Sequence, residues 1–257
     1  MLDESNFFAQ EKVKAAIRFA ELIRVVYGEK KVQEFLRSYC YLRNLDNLND
    51  NNEKGAEEVK SELEDEINKM HDFKRGIRTS SFFGRLSDAY GRGIIDYFIA
   101  NIEGFLVDNS IIRSRSPLSE AELRERNKKH YLSGFKITSL ILFEREFEFG
   151  RKFERMGDTY IQYDALIDIR EDFPNYLYLF PREELAKFCR YGVLDLLHFY
   201  EFTKRKILVA IPKNSAGIFE TNAPLWFKVA FSAYFLSRYF KLASHAFDYK
   251  PEVRIGA

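Results

Sequence analysis

Apolar residues recur along this chain with the spacing of a helix. The segment from Phe7 to Val26 has apolar side chains three to four positions apart, at Val13, Ile17, Ala20 and Val25. Gly28 is placed to end this helix, and Lys31 to Leu48 has the pattern of a second one. No stretch alternates between apolar and polar residues for more than a few positions. The pattern therefore predicts an all-α protein with short loops.

Further helices follow in the same way. Ala56 to Phe73 is so rich in charge that it predicts a solvated outer helix, and Phe82 to Val107 predicts a long apolar helix interrupted by glycines. Ser119 begins a capping pattern and the helix after it, which we expect to break near Gly134. Tyr191 to Ile211 predicts an amphipathic helix that ends at the following proline.

Three aspartates form an acidic row within an otherwise apolar helical stretch. Asp164, Asp168 and Asp172 recur every four residues, so on an α-helix they share one face. Like charges at this spacing repel each other, which indicates that a cation neutralises them. Mg²⁺ suits such a row, because it usually binds one or two carboxylates together with phosphate oxygens. A solvated helix face is the alternative, but four intervening apolar residues leave little polar surface for it: Ala165, Leu166, Ile167 and Ile169.

A second acidic pair lies far upstream. Asp46 and Asp50 are also four residues apart, and Arg43 precedes Asp46 by three residues, so it can share the same helix face. Carboxylates from two helices can face each other across a helix bundle and hold metal ions between them. This arrangement would suit the binding of a diphosphate.

The composition fits one large core and is unusually aromatic. With 257 residues and no break in composition, the chain is expected to form a single domain, residues 1–257. Hydrophobic residues make up 46% of it, with 25 Phe and 15 Tyr. These rings fit ordinary core packing, and they fit equally a long apolar pocket whose ring faces stabilise a cation.

Charge and terminal sequence restrict the partners. Lys and Arg (40) nearly balance Asp and Glu (39), so no global field favours nucleic acid or an anionic membrane, and anion binding has to be local. The start of the chain has no signal peptide pattern, and no run of eighteen apolar residues occurs. We therefore expect a cytoplasmic protein that is at most peripheral to a membrane.

The cysteines and histidines carry no recognisable site. Cys40 and Cys189 have no metal-ligand spacing to any histidine, and they are expected to behave as small buried hydrophobes. The four histidines are scattered, and we expect packing or surface roles for all of them: His71, His130, His198 and His245.

The first acidic segment resembles a known family. The order Tyr39-x-x-x-Arg43-x-x-Asp46-x-x-x-Asp50 is similar to the signature of squalene and phytoene synthases, in which a tyrosine, an arginine and an aspartate-rich pair occur in this order.

Other segments resemble the same family, in the same order. Asp164 to Asp172, followed by Tyr178 to Leu185, is similar to its second aspartate-rich motif and the segment that trails it. Gly104-x-x-x-Asp108 looks like its Gly-x-x-x-Asp helix, and Tyr131-x-x-Gly134 like the start of its glycine-rich helix. Ser5-x-Phe7 lies where that family has a short serine-containing segment. The similarity covers nearly the whole chain.

The resemblance implies an isoprenoid-synthase fold and a reaction. It implies antiparallel helices around a central apolar cavity, with an acidic wall on either side of the mouth. The implied activity is a Mg²⁺-dependent head-to-head condensation of two allylic prenyl diphosphates, farnesyl or geranylgeranyl, with release of diphosphate. The sequence has no glycine-rich dinucleotide fingerprint, and it leaves open whether NADPH takes part. It also leaves open the substrate length and the oligomeric state.

The resemblance also implies residue roles. Arg43 and Ser5 would contact the diphosphate, and Asp164, where the family usually has asparagine, would contact substrate. Tyr39 and Tyr131 would line the site near the ionising carbon. Four aspartates would be metal ligands: Asp46, Asp50, Asp168 and Asp172.

Departures from the family pattern keep other functions open. Asn47 replaces a usual aspartate, Asp164 replaces the asparagine, and Ile167 replaces an arginine beside the second motif. The alternatives are a terpene cyclase or lyase on the same fold, and a non-catalytic relative that acts in assembly or interaction. The survival of the principal aspartates favours an enzyme.

Overall fold

The structure, a computed structural model, describes residues 11–50, 54–245 and 253–254. This part of the chain is predominantly helical, which confirms the all-α prediction. Its helices, in chain order, are α1 (Glu11–Asp50), α2 (Ala56–Lys74), α3 (Ser81–Tyr90), α4 (Gly93–Ser114), α5 (Glu120–Asn127), α6 (Ser133–Phe143), α7 (Arg151–Ile167), α8 (Ile169–Asp172), α9 (Arg182–Leu185), α10 (Leu196–Asn214) and α11 (Leu225–Ser244). Short 3-10 turns cover Phe173–Asn175, Ala186–Phe188 and Ser215–Glu220, and a π-helical segment covers Lys128–Leu132.

A small antiparallel sheet connects the hairpin before α10 with a segment near the end of the chain. Its strands are β1 (Cys189–Arg190), β2 (Val193–Leu194) and β3 (Val253–Arg254), in the order β1-β2-β3. The amphipathic helix that the sequence predicts from Tyr191 therefore begins only at Leu196, where the Asp195 side chain accepts from the His198 backbone N–H at 3.2 Å. Pro212 lies in the last turn of α10, two residues before its end.

Gly28 divides α1 into two helical halves. Its φ of +79° is strongly disfavoured for residues with a Cβ and breaks the helical path. This confirms the predicted end of the first helix at Gly28. A second glycine with positive φ, Gly91 (+81°), separates α3 from α4, so the long apolar stretch is two helices and not one. Ser80 caps α3 by accepting from the backbone N–H of Phe83 at 3.2 Å.

The sequence predicts that the charged helix α2 is a solvated outer segment, but the structure buries one edge of it. Val59, Leu63 and Met70 are buried on one edge of it, and this edge packs against α4. This apolar edge is difficult to recognise in the sequence, because its few apolar residues, which follow the helical spacing, lie among many charged ones.

The helix that begins at Ser119 contains a π-helical turn. Ser119 and Glu122 form the predicted capping box, which is confirmed. The chain then stays helical through the π-segment and α6, with helical backbone angles at Lys128 and Ser133. The predicted break near Gly134 is wrong, because α6 runs without interruption from Ser133 through Gly134 to Phe143. The irregular π-helical turn lies just before this helix and remains helical.

Two apolar clusters make up the core. The N-terminal cluster is built by α1 to α4 and α6, and includes Val32, Leu63, Phe98 and Ile141. The C-terminal cluster is built mainly by α7 to α11, and includes Phe153, Tyr163, Tyr200 and Phe235. Helix α4 contributes to both, with Phe105 in the first and Ile111 in the second. Among the helices that the structure describes, none is both long and apolar enough to cross a membrane.

Candidate functional site

The acidic row of the second motif lies at a distorted helical turn. Helix α7 ends at Ile167 and α8 begins at Ile169, with Asp168 between them at φ −87° and ψ 3°. Hydrogen bonds still run from the Asp168 N–H to the Asp164 carbonyl and from the Asp172 N–H to the Asp168 carbonyl, both at 2.9 Å. The three aspartates therefore keep their one-turn spacing, and each is half-buried.

The first acidic segment lies at the C-terminal end of α1. Arg43 and Asp46 form an ion pair, with 16% and 25% of their side chains exposed. Asn49 donates to the Phe105 carbonyl at 2.9 Å, and Asn109 donates to the Asn49 side-chain oxygen at 3.3 Å. These two bonds hold the end of α1 against α4.

A buried ion pair connects α4 to α5. The Arg126 Nε donates to Asp108 Oδ1 at 2.8 Å, and its Nη2 donates to Oδ2 at 2.5 Å. Only 5% and 4% of the two side chains are exposed. Such two-pronged pairs fix geometry strongly, although the removal of both charges from water offsets much of the attraction between them. Asp108 stands on α4 between Phe105 and Ile111, at the boundary of the two apolar clusters.

Both acidic segments act on this buried arginine. Burial lowers the pKa of Arg126, but the charge of Asp108, its hydrogen bonds and the charges of Asp46 and Asp172 together outweigh burial, so the pKa is raised. Burial also raises the pKa of Asp108; Arg126 opposes this increase and Asp46 adds to it. Asp46 on α1 and Asp172 on α8 are therefore both close enough to Arg126 to influence its protonation. The charges of both acidic segments thus act on the Arg126 guanidinium.

Tyr131 lies in the π-helical segment, next to the second acidic segment. Its hydroxyl is buried and has no hydrogen-bond partner among the described residues. Burial raises its pKa well above the usual range, and the charges of Asp164 and Asp158 add to this increase. The phenol thus keeps its proton at neutral pH. The ring lies against Gly157, where an added Cβ would stand 2.3 Å from Tyr131 Cε1.

His130 was expected to have a packing or surface role, and the structure places it beside the site. Burial lowers its pKa well below the usual range, and the charges of Arg126 and Arg43 lower it further. The imidazole is therefore neutral at neutral pH. Its Nδ1 is buried, and its Cβ would lie 3.1 Å from a Cβ added at Gly104. No sequence pattern predicted Arg126 or His130; Asp108 was visible only in the Gly-x-x-x-Asp resemblance.

Aromatic rings fill the interior next to Tyr131. Phe135 lies between its neighbours, with ring centroids 4.8 Å from Tyr131, 5.0 Å from Phe153 and 5.1 Å from Phe231. A cavity of about 290 Å³ opens beside Tyr131 and Gly157, but its lining is largely charged, with Arg124, Lys128, Arg151, Glu154, Arg155 and Asp158. Of the predicted metal ligands whose side chains the structure describes, Asp46, Asp168 and Asp172, none lines it. The apolar cavity between the acidic segments stays a prediction.

The remaining predicted residues are placed as follows. Tyr39 is half-buried on α1 and its ring stacks on Phe35, with centroids 6.4 Å apart. Ser5 and the side chain of Asp50 lie outside the described residues.

The described carboxylates do not form a complete metal site by themselves. Within the described part of the chain, no group of three or more His, Cys, Asp or Glu side chains could hold a metal by itself. Asp46, Asp168 and Asp172 nevertheless supply the carboxylate oxygens that Mg²⁺ prefers, and Mg²⁺ commonly takes its other ligands from water and substrate phosphate. The orphaned Tyr131 hydroxyl is an additional polar group available to a bound ligand.

Fold and site together define an all-α protein in which charges from two acidic segments raise the pKa of a buried arginine. Comparisons with protein-family models, with curated proteins and with solved structures found no match to this chain.

Proposed function

We propose that this chain is an enzyme of the squalene/phytoene synthase type, which condenses two allylic prenyl diphosphates with release of diphosphate and requires Mg²⁺. One observation supports it above the others: Asp46 and Asp172, from segments about 120 residues apart, both influence the pKa of Arg126. Two acidic segments that face the same interior can share one pyrophosphate group through bridging cations.

The proposed site has a charged part, formed by the aspartates and Arg43, and an aromatic part beside Tyr131. Mg²⁺, when bound at Asp46, Asp168 and Asp172, would supply positive charge that stabilises the leaving diphosphate. Arg43 lies one turn from Asp46 and can contact the same phosphate oxygens, since a guanidinium matches their geometry.

The aromatic end would protect the allylic cation. The rings of Tyr131, Phe135 and Phe153 present faces that stabilise positive charge, and the two phenylalanines carry no nucleophile that could trap it. Tyr131 keeps its proton, because burial and the charge of Asp164 raise its pKa. A neutral phenol can donate a hydrogen bond to a developing anion without consuming the cation.

The test is turnover of purified full-length chain with Mg²⁺ and either farnesyl or geranylgeranyl diphosphate. A condensed C30 or C40 hydrocarbon, or its cyclopropyl diphosphate precursor, in mass spectra of the organic extract is the expected product. Chelation of Mg²⁺ should stop the reaction. A cyclised or hydrolysed C15 or C20 product would instead indicate a terpene cyclase or lyase.

A matched pair of variants separates the site from general damage. Asp46→Asn removes one charge from the acidic site and should lower kcat by at least about 100-fold, since metal-supplied charge stabilisation is a large part of such a barrier. Asp96→Asn removes one charge from an exposed carboxylate that pairs with Lys74, and it should leave kcat unchanged. Equal losses in both variants would contradict the assigned site.

A non-catalytic role in assembly or interaction is the second candidate. It is favoured by the lack of a three-ligand metal cluster among the described side chains and by the aromatic packing beside Tyr131. Under this alternative, neither prenyl diphosphate would release diphosphate at any Mg²⁺ concentration, and pyrophosphate would not bind in calorimetry.

A further inference from the structure

An apolar stripe runs along the solvent-facing side of α11. Its members are three to four residues apart, so they share one helix face, and we call them the α11 stripe: Leu225, Val229, Ala233, Leu236 and Phe240. Leu225, Val229 and Phe240 are 70%, 53% and 72% exposed. The opposite face of α11 is buried in the C-terminal cluster through Phe227, Phe235 and Leu242. Leu236 also packs against this cluster, whereas the other members of the stripe, which is about 22 Å long, are exposed.

The stripe contains no charged residue, but lysines flank it on both sides. At 100° per residue, Lys228 and Lys241 fall on opposite borders of the stripe. Lys241 is exposed, and the Lys228 ammonium donates to the Phe219 carbonyl at 3.4 Å on the surface. On the neighbouring helix α10, Phe202 and Val209 are also exposed (47% and 72%), and the Phe202 ring lies 5.2 Å from the Phe188 ring.

Positive charge is concentrated in this part of the chain. The whole chain has 40 Lys and Arg against 39 Asp and Glu. Residues 186–245 alone contain nine basic residues against three acidic ones, Asp195, Glu201 and Glu220. The basic residues are Lys187, Arg190, Lys204, Arg205, Lys206, Lys213, Lys228, Arg238 and Lys241. Lys206 pairs with Glu184, and the Arg238 guanidinium lies over the rings of Tyr163 and Tyr234. The other basic residues leave this segment with a net positive charge, although the chain as a whole is nearly neutral.

This charge argues for one kind of occupant. Two copies of the chain that met through the α11 stripe would bring two positive surfaces together, which is unfavourable. A surface that carries negative charge and accepts apolar side chains would match both the apolar stripe and the positive charge beside it. An anionic lipid bilayer is such a surface: it takes an apolar helix face into its headgroup boundary and attracts the lysines on either side.

We propose that the α11 stripe docks this protein on the surface of an anionic membrane, with the helix parallel to the bilayer. Leu225, Val229 and Phe240 enter the boundary between headgroups and acyl chains, and Lys228 and Lys241 contact lipid phosphates. The docking does not depend on the proposed function, and its test needs no prenyl substrate.

The test is co-sedimentation of the full chain with phosphatidylcholine vesicles that contain phosphatidylglycerol, and with vesicles of phosphatidylcholine alone. The wild-type chain should bind the anionic vesicles more tightly, and salt should weaken this binding because it screens the lysines. Failure of the wild-type chain to bind anionic vesicles would overturn the proposal, as would equal binding to both vesicles.

Variants assign the binding to the stripe. Phe240→Gln and Val229→Gln should each weaken binding about tenfold, since each removes an apolar side chain from the boundary. Ile77→Gln changes an equally exposed apolar residue (67%) outside this region and should have no effect. The double variant Lys228→Gln/Lys241→Gln should weaken anionic binding about fivefold per lysine, and its control, Lys30→Gln/Lys60→Gln, should not.

Two other occupants would give different results, and each would overturn the proposal. If a second copy covers the stripe, light scattering will show a dimer that Phe240→Gln dissociates. If the chain's own remaining residues cover it, Phe240→Gln will lower the melting temperature by several degrees, because a buried ring is then lost. If the stripe binds lipid, the chain stays monomeric in the absence of vesicles, and Phe240→Gln has the same melting temperature as the wild type.

Discussion

Arg126 and Asp108 form a two-pronged ion pair that is almost fully buried, at the boundary between the two apolar clusters. Buried pairs of this kind add little net stability, because desolvation offsets their attraction. Their main effect is geometric. The pair fixes α5 to α4 and keeps one positive charge where both acidic segments reach it.

The first prediction concerns this pair. Arg126→Met leaves the Asp108 carboxylate buried without its partner, and it should lower the free energy of unfolding by about 3–5 kcal/mol. The double variant Asp108→Leu/Arg126→Met leaves no buried charge and should be clearly more stable than Arg126→Met alone. Urea unfolding of the wild type, both single variants and the double variant measures the coupling. Strictly additive effects would show that the two side chains do not depend on each other.

The second prediction concerns Asp168. Asp168→Ala should abolish turnover, because it removes a predicted metal ligand, while the fold stays intact. Since Asp164 and Asp172 lie one turn away on either side, the loss of the middle charge relieves repulsion in the row. Circular dichroism and thermal unfolding should match the wild type to within about 1 kcal/mol. A strong loss of helicity would mean that Asp168 mainly stabilises the turn between α7 and α8.

The third prediction concerns Asp164. Asp164→Asn restores the residue type that the resembling family usually has, so the variant should keep its activity. It should also lower the pKa of Tyr131 toward its usual range, because the nearby negative charge is lost. Spectrophotometric titration of the tyrosines in both proteins measures this shift. An inactive Asp164→Asn variant would show that the extra carboxylate takes part in the reaction.

The fourth prediction concerns the contact between Gly157 and Tyr131. Gly157→Ala would place a methyl group 2.3 Å from Tyr131 Cε1, so the ring has to move within tight aromatic packing. We expect a loss of about 1–3 kcal/mol of stability and a clear drop in kcat.

Gly134→Ala is the matched control for this change. Its added Cβ would meet only the Asn101 side-chain nitrogen, at 3.7 Å, an ordinary contact. Because alanine favours the helix, this variant should gain up to about 1 kcal/mol. If both variants lost stability equally, the ring contact at Gly157 would not be the cause.

The fifth prediction concerns the pH dependence of stability. His130 has a pKa well below 6.5 in the folded chain, because burial and the charges of Arg126 and Arg43 oppose its protonation. The unfolded chain takes up this proton near pH 6.5, so stability is complete above that pH and falls as the pH decreases. The contribution is at most about 1.4 kcal/mol per pH unit. Urea unfolding at pH 7.5 and 5.5 should show a smaller loss in His130→Gln than in the wild type.

The sequence predicted the elements that depend on local signals. Gly28 and the capping box at Ser119 are conspicuous in the sequence because backbone freedom and capping need particular residue types at fixed positions. The one-turn spacing of Asp164, Asp168 and Asp172 also follows directly from helical periodicity.

Other parts of the site depend on contacts between distant elements, which one sequence does not reveal. Arg126 looks like any charged residue of a surface helix until α4 brings Asp108 against it. His130 is neutral because it is buried, and because the charges of two arginines from different helices lower its pKa further. The narrow apolar edge of α2 was not predicted for the same reason. Charged residues dominate the composition of α2, and the neighbouring helix decides which of its side chains are buried.

The π-helical turn at Lys128–Leu132 sets the register between Arg126 and α6. A π turn holds more residues than an α-helical turn, because its hydrogen bonds span five residues and not four. Deleting one residue of the turn would rewind the helix by about 100° and swing Arg126 away from Asp108 relative to α6. The length of this turn thus sets the register that brings Arg126 against Asp108.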